Sequence, residues 1–200
     1  MTRALLNLDA GELDSESPEL WSQFDILNIA CGGHTGDERT MDRVVAYCAS
    51  RARPRIGAHP SYPDRDGFGR RSIAIDDAAL ASAVAEQCGA LAAVAVGHGL
   101  AVEWVKPHGA LYHDAAAREP IARAGLQGAI GVLGRTFTAI GPPSGALRDA
   151  ADSLGVPYLR EGFADRRMRD DGTLVPRNEP DALVTEPAAA AAQAMRLATS

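Results

Sequence analysis

Short apolar runs recur along the chain, each followed by a longer stretch in which apolar positions return every three or four residues. The runs at 5–8, 26–31, 55–58, 102–105, 137–140 and 156–159 read as six strands. Residues 37–51 put Met41, Val44, Val45 and Cys48 on one helical face. Residues 76–96 put Leu80, Val84, Leu91 and Val94 in a stripe, with Asp76 as candidate N-cap. A broken helical stretch covers 114–133, with Pro120 opening its second part, because proline suits the first turn of a helix. Ser144 is a candidate cap for a helix ending near Gly155, and glycine suits the left-handed position just past a helix. A last helix covers 186–197 and takes in the alanine tract 188–192.

Strands that alternate with helices predict a parallel sheet, since parallel neighbours need a crossover and the helix supplies it. The whole chain, 1–200, is expected to form one such domain. The sheet is either open and doubly wound or closed towards a β/α barrel. No glycine-rich phosphate fingerprint follows the first strand and no GxxxxGK[ST] occurs, which disfavours the common nucleotide-binding open sheets.

Ionisable groups gather just after the strands. Asp9 and Glu12 follow the first, His34 and Asp37 the second, His59 the third, Lys106 and His108 the fourth, and Glu161, Asp165 and Arg166 the sixth. A β/α barrel builds its active site at that face, from the loops of different strands. The clustering therefore favours the barrel and an enzyme. Lys106 is the only lysine in the chain, beside nineteen arginines. An ammonium is a compact point charge that can orient a carbonyl or carboxylate where a guanidinium would not serve. Lys106 and His108 are two apart and face the same way on a strand. Asp9, His34 and His59 form a candidate metal set that leaves positions open for water and substrate; without metal, they hydrogen-bond to substrate or to each other. Asp9 and Glu12 read as a general base and its neighbour if a dry cleft raises a carboxyl pKa; Glu12 otherwise reads as a cap or ion-pair partner. Of Arg70 and Arg71, one is expected to hold an anion and the other to pair with Asp64 or Asp66 at the surface. His113 reads as solvated and His98 as a helix-end residue. The glycines of "CGGH" and "GFGRR" let backbone approach where side chains cannot.

Composition narrows the picture. A formal charge of −6 argues against a nucleic-acid partner held through phosphates. No unbroken run of about twenty apolar residues occurs, so no membrane span is expected. Cys31, Cys48 and Cys88 are odd in number and form no CxxC pair, and they read as buried reduced thiols of a cytoplasmic protein.

Five blocks carry a resemblance: "LNLDAGE" (6–12), "NIACGGHTGD" (28–37), "IGAHPSYPDRDGFGRR" (56–71), "VKPHGALYH" (105–113) and "EGFADRRMRDDGTLVPR" (161–177). In this order and spacing they resemble the LamB/YcsF family of 5-oxoprolinase A subunits. The resemblance implies an irregular seven-stranded β/α barrel, similar to glycoside hydrolases and polysaccharide deacetylases. It implies ATP-dependent opening of 5-oxo-L-proline to L-glutamate, together with subunits B and C. Asp9, Glu12, His59, Lys106 and His108 would be catalytic. Asn7, Asn28, Cys31, Gly32, His34, Asp37, Phe68, Arg70, Tyr112, Glu161, Asp165 and Arg166 would bind substrate. In detail, Lys106 would neutralise charge on the lactam oxygen or a phosphate, Asp9 or Glu12 would activate water, and His59 and His108 would shuttle protons or bind the substrate carboxylate.

The chain departs from the family pattern in ending before the expected seventh strand and its histidine. Either a partner chain or second copy then covers the open barrel edge, or the chain rearranges, or this is a diverged paralogue. Thr35, His113 and Met168 also stand where the family more often has alanine, asparagine and an aromatic residue. Two alternatives to a lactam-opening role follow: a non-catalytic relative that keeps its small-molecule pocket, and a metal-dependent deacetylase-like hydrolase acting on a carbohydrate amide.

Overall fold

The computed structural model describes residues 4–169, 173–177 and 179–199. Six strands form one sheet: β1 (Asn7–Ala10), β2 (Ile26–Ala30), β3 (Arg55–His59), β4 (Trp104–Val105), β5 (Thr138–Gly141) and β6 (Tyr158–Arg160). Every neighbouring pair is parallel, and the spatial order is the chain order. Doubly wound sheets reverse direction at a switch point; this one never does. Helices α1 (Pro18–Trp21), α2 (Glu38–Ala49), α3 (Asp77–Gly97), α4 (Gly109–Ala117), α5 (Glu119–Leu133) and α6 (Ala146–Leu154) fill the crossovers, and α7 (Pro187–Thr199) follows.

The sheet curls into most of a barrel. Neighbouring strands lie about 4.8 Å apart, so β1 and β6 would be about 24 Å apart in a flat sheet. Yet Lys106 Nζ, just past β4, lies 2.9 Å from Asp9 Oδ1 on β1 and 2.8 Å from Glu161 Oε1 just past β6. Among the described residues, β1 pairs only with β2 and β6 only with β5, so they are the two edges of the sheet.

The strand period of two sorts residues between the two faces. Leu27, Ile29, Ile56, Ala58, Val105 and Ala139 point outward and meet the helices in the main core. Leu5, Ile26, Trp104, Ile140 and Leu159 point inward and form a small apolar cluster inside the barrel. Two residues further along the same strands stand Asn7, Asn28, Lys106 and Glu161. The interior is thus apolar below and polar above, and the polar layer is the floor of the site.

Several expected boundaries move, for local reasons. The fourth strand shrinks to two residues, although Glu103 N still donates to Ile56 O and Glu103 O still accepts from Thr138 N. The sixth starts at Tyr158, because Val156 N donates back to Ala151 O and Pro157 has no N–H to pair. Ser144 is not the cap of α6; Gly145 occupies that place at φ 111°, without a side-chain cap bond. Gly155 ends α6 in the left-handed conformation, as its sequence position implies. Asp37 and Asp76 cap α2 and α3, Asp37 in a reciprocal box with Thr40. α4 begins five residues earlier than the periodicity implies, at Gly109, whose φ of 57° makes the turn after His108.

α3 corrects the reading that nothing here is long and apolar enough to cross a membrane: by length and composition, Asp77–Gly97 is. In this fold it packs as a barrel wall, with Leu80, Val84, Cys88 and Leu91 buried against the sheet and α5. Its Gln87 reaches back to bond Ser61 N and O at 2.9 Å each. Gly128 of α5 crosses α3 so closely that a Cβ there would lie 2.3 Å from Ala81 O. Gly128→Ala is therefore expected to cost about 1–3 kcal/mol of stability by overpacking backbone, measurable as a lowered urea midpoint; an unchanged midpoint would mean the two helices slide apart without loss.

Candidate active site

Strand ends and the loops after them converge on an open cavity of about 470 Å³. Its lining includes Asp9, Glu12, His59, Lys106, His108, Tyr112, Arg70, His113, Phe163, Arg166 and Arg177. All five residues expected to be catalytic line it.

At the floor, Lys106 is 4% exposed and makes three contacts, to Asn7 Oδ1 at 3.2 Å, Asp9 Oδ1 at 2.9 Å and Glu161 Oε1 at 2.8 Å. Asn28 Nδ2 donates to Asn7 Oδ1 and Asp9 Oδ1 at 2.7 and 3.2 Å. Three separate acceptor oxygens suit the three rotatable donors of an ammonium, which answers why this one cation is lysine. Burial alone would lower the Lys106 pKa, but the carboxylates of Asp9 and Glu161 overcome it and hold it above the ordinary lysine value. Lys106 is thus a fixed cation, already paired.

Above the floor, three imidazoles surround Glu12. His34 Nε2 is 3.0 Å, His108 Nδ1 3.1 Å and His59 Nε2 3.7 Å from Glu12 Oε1. His34 and His108 stack at 3.6 Å between ring centroids, 2° from parallel. Phe68 meets both rings edge-on. Gly69, at φ 63°, admits this packing: a Cβ there would lie 2.9 Å from His34 Cβ and 3.0 Å from His108 Cδ2. The glycine of "GFGRR" is therefore a close-approach residue.

Glu12 itself is presented by a turn that Glu16 organises. Glu16 Oε2 accepts from Gly11 N and Trp21 Nε1 at 2.8 and 3.0 Å, and Oε1 from Glu12 N and Leu13 N at 2.9 and 3.0 Å. Glu16 was not legible in the sequence as a site residue; its signal is a carboxylate one turn from Glu12, ahead of a capped helix. Gln193 of α7 escaped sequence reasoning in the same way, and its Nε2 donates to the Phe163, Ala164 and Arg166 carbonyls, fixing the loop after β6.

The expectation that a dry cleft raises the carboxyl pKa values of Asp9 and Glu12 is corrected. Burial pushes both up, but His59 and Lys106 beside Asp9, and the imidazoles beside Glu12, hold both well below the usual carboxylate range. Both are anions. His34 is pushed down to about 4, chiefly by burial, against the pull of Glu12. A depressed histidine pKa means that the unfolded chain binds the proton first. Stability from His34 is therefore complete above about pH 6.5 and is lost as pH falls towards 4, by about 3 kcal/mol. The lowered Asp9 and Glu12 add a further loss below pH about 4. Urea titrations of metal-free protein across this range should show that limb, and His34→Asn should flatten its upper part; a pH-independent midpoint between 7 and 5 would contradict it.

The other expected residues divide. Tyr112 lies at the wall of the cavity, its ring edge-on to Phe163. Arg166 is 4% exposed, donates from Nη2 to Val175 O at 2.7 Å, and leaves Nε buried without a partner. Arg71 pairs with Asp64 while Arg70 lines the cavity, as the sequence implies. His113 lines the cavity too, though exposed. His98 caps the end of α3 and meets Asp42 at 2.7 Å. Asn7, Asn28, His34, Phe68 and Glu161 back the cavity through the contacts above without lining it, and the remaining expected residues stand apart from it. Cys31 is in the main core, its thiol pushed up to about 12 by burial; Asp37 is the exposed α2 cap; Asp165 is exposed and bonds Val184 N through its carbonyl. Gly32, at φ 106°, offers its carbonyl to Arg65. All three cysteines are free and buried.

Among the described residues, Glu12, His34, His59 and His108 bring ligand atoms within 4.8 Å of one another, a group that could hold a metal ion. Of the expected set Asp9, His34 and His59, the two histidines are in this group, while Asp9 gives Oδ1 to Lys106 and Asn28 and has Oδ2 3.4 Å from His59 Nε2.

The LamB/YcsF family model matches residues 6–200. The A subunit of 5-oxoprolinase from Methylococcus capsulatus is 43% identical over 197 residues, covering 95% of this chain and 74% of that protein. Its counterpart from Nocardia farcinica is 47% identical over 172 residues, covering 86% and 68%. The crystal structure of the lactam utilization protein from Thermus thermophilus superposes with a TM-score of 0.92 at 31% identity, covering all of this chain and 82% of that one. The sequential parallel sheet, the strand-end cluster and these likenesses agree: the chain belongs to the LamB/YcsF family.

Proposed function

We propose that this chain is the A component of a cytoplasmic, ATP-dependent 5-oxoprolinase, a hydrolase that opens the cyclic amide of 5-oxo-L-proline to L-glutamate with subunits B and C. The observation that carries the reading is the concentration of acceptor atoms at the cavity floor. Glu12 Oε1, His59 Nε2 and His108 Nδ1 face one another across 3.0–3.7 Å, and Asp9 Oδ2 lies 3.4 Å from His59 Nε2. Such a set holds a water molecule and draws its proton away as the oxygen attacks the lactam carbonyl. The C–N bond then breaks, and the ring nitrogen takes a proton to become the amino group of glutamate. Asp9 is kept in register by Lys106 and Asn28, and Glu12 by Glu16 and His34. An amide is resonance-stabilised, and ATP, used with subunits B and C, supplies the activation that this chemistry needs. A divalent cation at the imidazole–carboxylate group belongs to the same reading; when bound, it acidifies the attacking water.

The substrate is itself an anion, and the cavity offers cations to receive it. Arg166 is buried with no carboxylate partner among the described residues, and Arg177 and Arg70 line the same space. In this reading Arg166 takes the substrate carboxylate and so points the amide at the floor. Titration calorimetry tests this. 5-Oxo-L-proline should bind at least tenfold more tightly than 2-pyrrolidinone, which lacks the carboxylate, and Arg166→Gln should erase the difference. Equal binding of the two lactams by the unaltered protein would sink the assignment.

A further inference from the structure

We infer that Glu12, His59 and His108 are the protein ligands of a divalent metal ion of the zinc class, and that His34 orients Glu12 without binding the ion. The inference concerns the cluster used in the proposed reaction, but it rests on donor geometry alone.

The partners of the rings fix where their protons must be. His59 Nδ1 lies 2.7 Å from Lys106 O, and His108 Nε2 lies 3.0 Å from Phe68 O. A carbonyl oxygen only accepts, so both of those nitrogens carry hydrogen. Without an ion, one further proton lies among these groups and serves Glu12; with an ion bound, both rings are neutral and the remaining nitrogens, His59 Nε2 and His108 Nδ1, are bare lone pairs. They sit 3.0 Å apart, facing each other. Glu12 Oε1 completes the triangle, 3.1 Å from His108 Nδ1 and 3.7 Å from His59 Nε2. Three acceptors that share one buried space repel unless a cation lies among them. A single proton can join only two of them. A divalent ion joins all three.

The separations fit such an ion. Tetrahedral bonds of about 2.0–2.1 Å to nitrogen and oxygen place neighbouring ligand atoms about 3.3 Å apart, and the observed 3.0, 3.1 and 3.7 Å bracket that value. The surroundings fit as well. Metal-bound histidines ordinarily donate their far N–H to a carbonyl or carboxylate, which fixes the tautomer; His59 and His108 both do so, through the carbonyls of Lys106 and Phe68. The one ammonium close to the cluster, Lys106, is shared between Asp9 and Glu161 and does not pair with Glu12. Glu12, His59 and His108 all line the open cavity, from which water or substrate would complete the coordination.

His34 falls outside the ligand set for the complementary reason. Its Nδ1 is buried without a partner, and its Nε2 faces the Glu12 carboxylate at 3.0 Å. A lone pair aimed at a carboxylate would repel it, so Nε2 carries the hydrogen and donates. The ring lies flat on His108 and steadies both partners.

The test uses the full chain, stripped with chelator and titrated with cobalt(II), whose visible d–d bands report coordination directly. One equivalent is expected to bind with the intense bands of a four- or five-coordinate site, and zinc(II) should displace it. His59→Gln and His108→Gln should each abolish those bands. His34→Gln should keep the band shape and weaken affinity by about 10–100-fold, as an outer-shell change does. Far-UV circular dichroism and melting of the metal-free variants separate loss of binding from loss of fold. Absence of the bands in the folded unaltered protein, or their loss in His34→Gln as completely as in His108→Gln, would overturn the inference. Lactam opening that persists in protein that binds no cobalt or zinc would overturn it too, while leaving the proposed reaction in place.

Discussion

Glu12→Gln is expected to reduce lactam opening by about 10²–10⁴-fold, with the fold retained. Glutamine keeps the shape, so Gly11–Leu13 and their bonds to Glu16 persist. What changes is charge and hydrogen-bond sense. The Glu12 carboxylate is the common partner of His34, His59 and His108, and those imidazoles in turn hold it well below the ordinary carboxylate range. All three rings face the single oxygen Oε1, and the oxygen of a neutral amide accepts more weakly there than a carboxylate does and brings no charge. The proton-accepting centre loses the anion that organises it. Steady-state assay of the reconstituted enzyme, with a circular dichroism spectrum as control, measures the effect. Retention of a tenth or more of the turnover would show that Glu12 is only a structural partner of the histidines.

Lys106→Met carries the largest expected cost in stability, about 3–5 kcal/mol near neutral pH. Methionine fills the space but leaves Asp9 and Glu161 facing each other without the ammonium between them. The Glu161 side chain is 3% exposed and one of its oxygens has no partner even with lysine present. Two outcomes distinguish this electrostatic account from simple loss of packing. The double variant Lys106→Met/Glu161→Gln should recover part of the loss, because it removes one of the unpaired charges. The deficit of the single variant should also shrink as pH falls. Without the ammonium, the raising effect of burial on the Asp9 carboxyl loses a counterweight, and a raised carboxyl pKa stabilises below the unfolded value and destabilises as pH rises. Chemical denaturation of the three proteins at pH 5 and 8 gives the answer. A deficit that neither pH nor the second substitution changes would mean that the lysine acts through its methylenes.

The part of this architecture that was legible in the sequence is the part governed by short periods. The apolar run at 26–31 placed strand β2, while its two faces, Leu27 and Ile29 against Ile26 and Asn28, are separated only in the folded sheet. The crowding of Asp9, His34, His59, Lys106, His108 and Glu161 just beyond strands pointed to one end of a barrel, and there the residues lie. Helix starts marked by Asp37 and Asp76 held, because an aspartate cap acts within three residues. Ser144 failed where Gly145, with its positive φ, turned the chain first.

What was not legible depends on how the sheet curls. Nothing in the spacing of Lys106 and Glu161 says that they meet; they do because five strand-to-strand steps bend β6 back towards β1. The same bend gives Asp9 to Lys106 and gathers Glu12 and His108 with His34 and His59 into the group that could hold a metal ion. Cys31 and His34 are three residues apart, yet one faces the helices and the other the cavity side, since the loop after β2 turns between them. The sign of the carboxyl pKa shifts likewise required knowing which cations sat beside Asp9 and Glu12.

If this chain opens 5-oxoproline, and does so at the strand-end cluster, the most direct test is glutamate formation from 5-oxo-L-proline and ATP by the chain combined with subunits B and C from the same source. The unaltered chain should yield glutamate, and the same mixture with Glu12→Gln should yield almost none. No glutamate from the folded, unaltered chain with active partners would contradict the account, and it would favour a family member that keeps the pocket without the reaction.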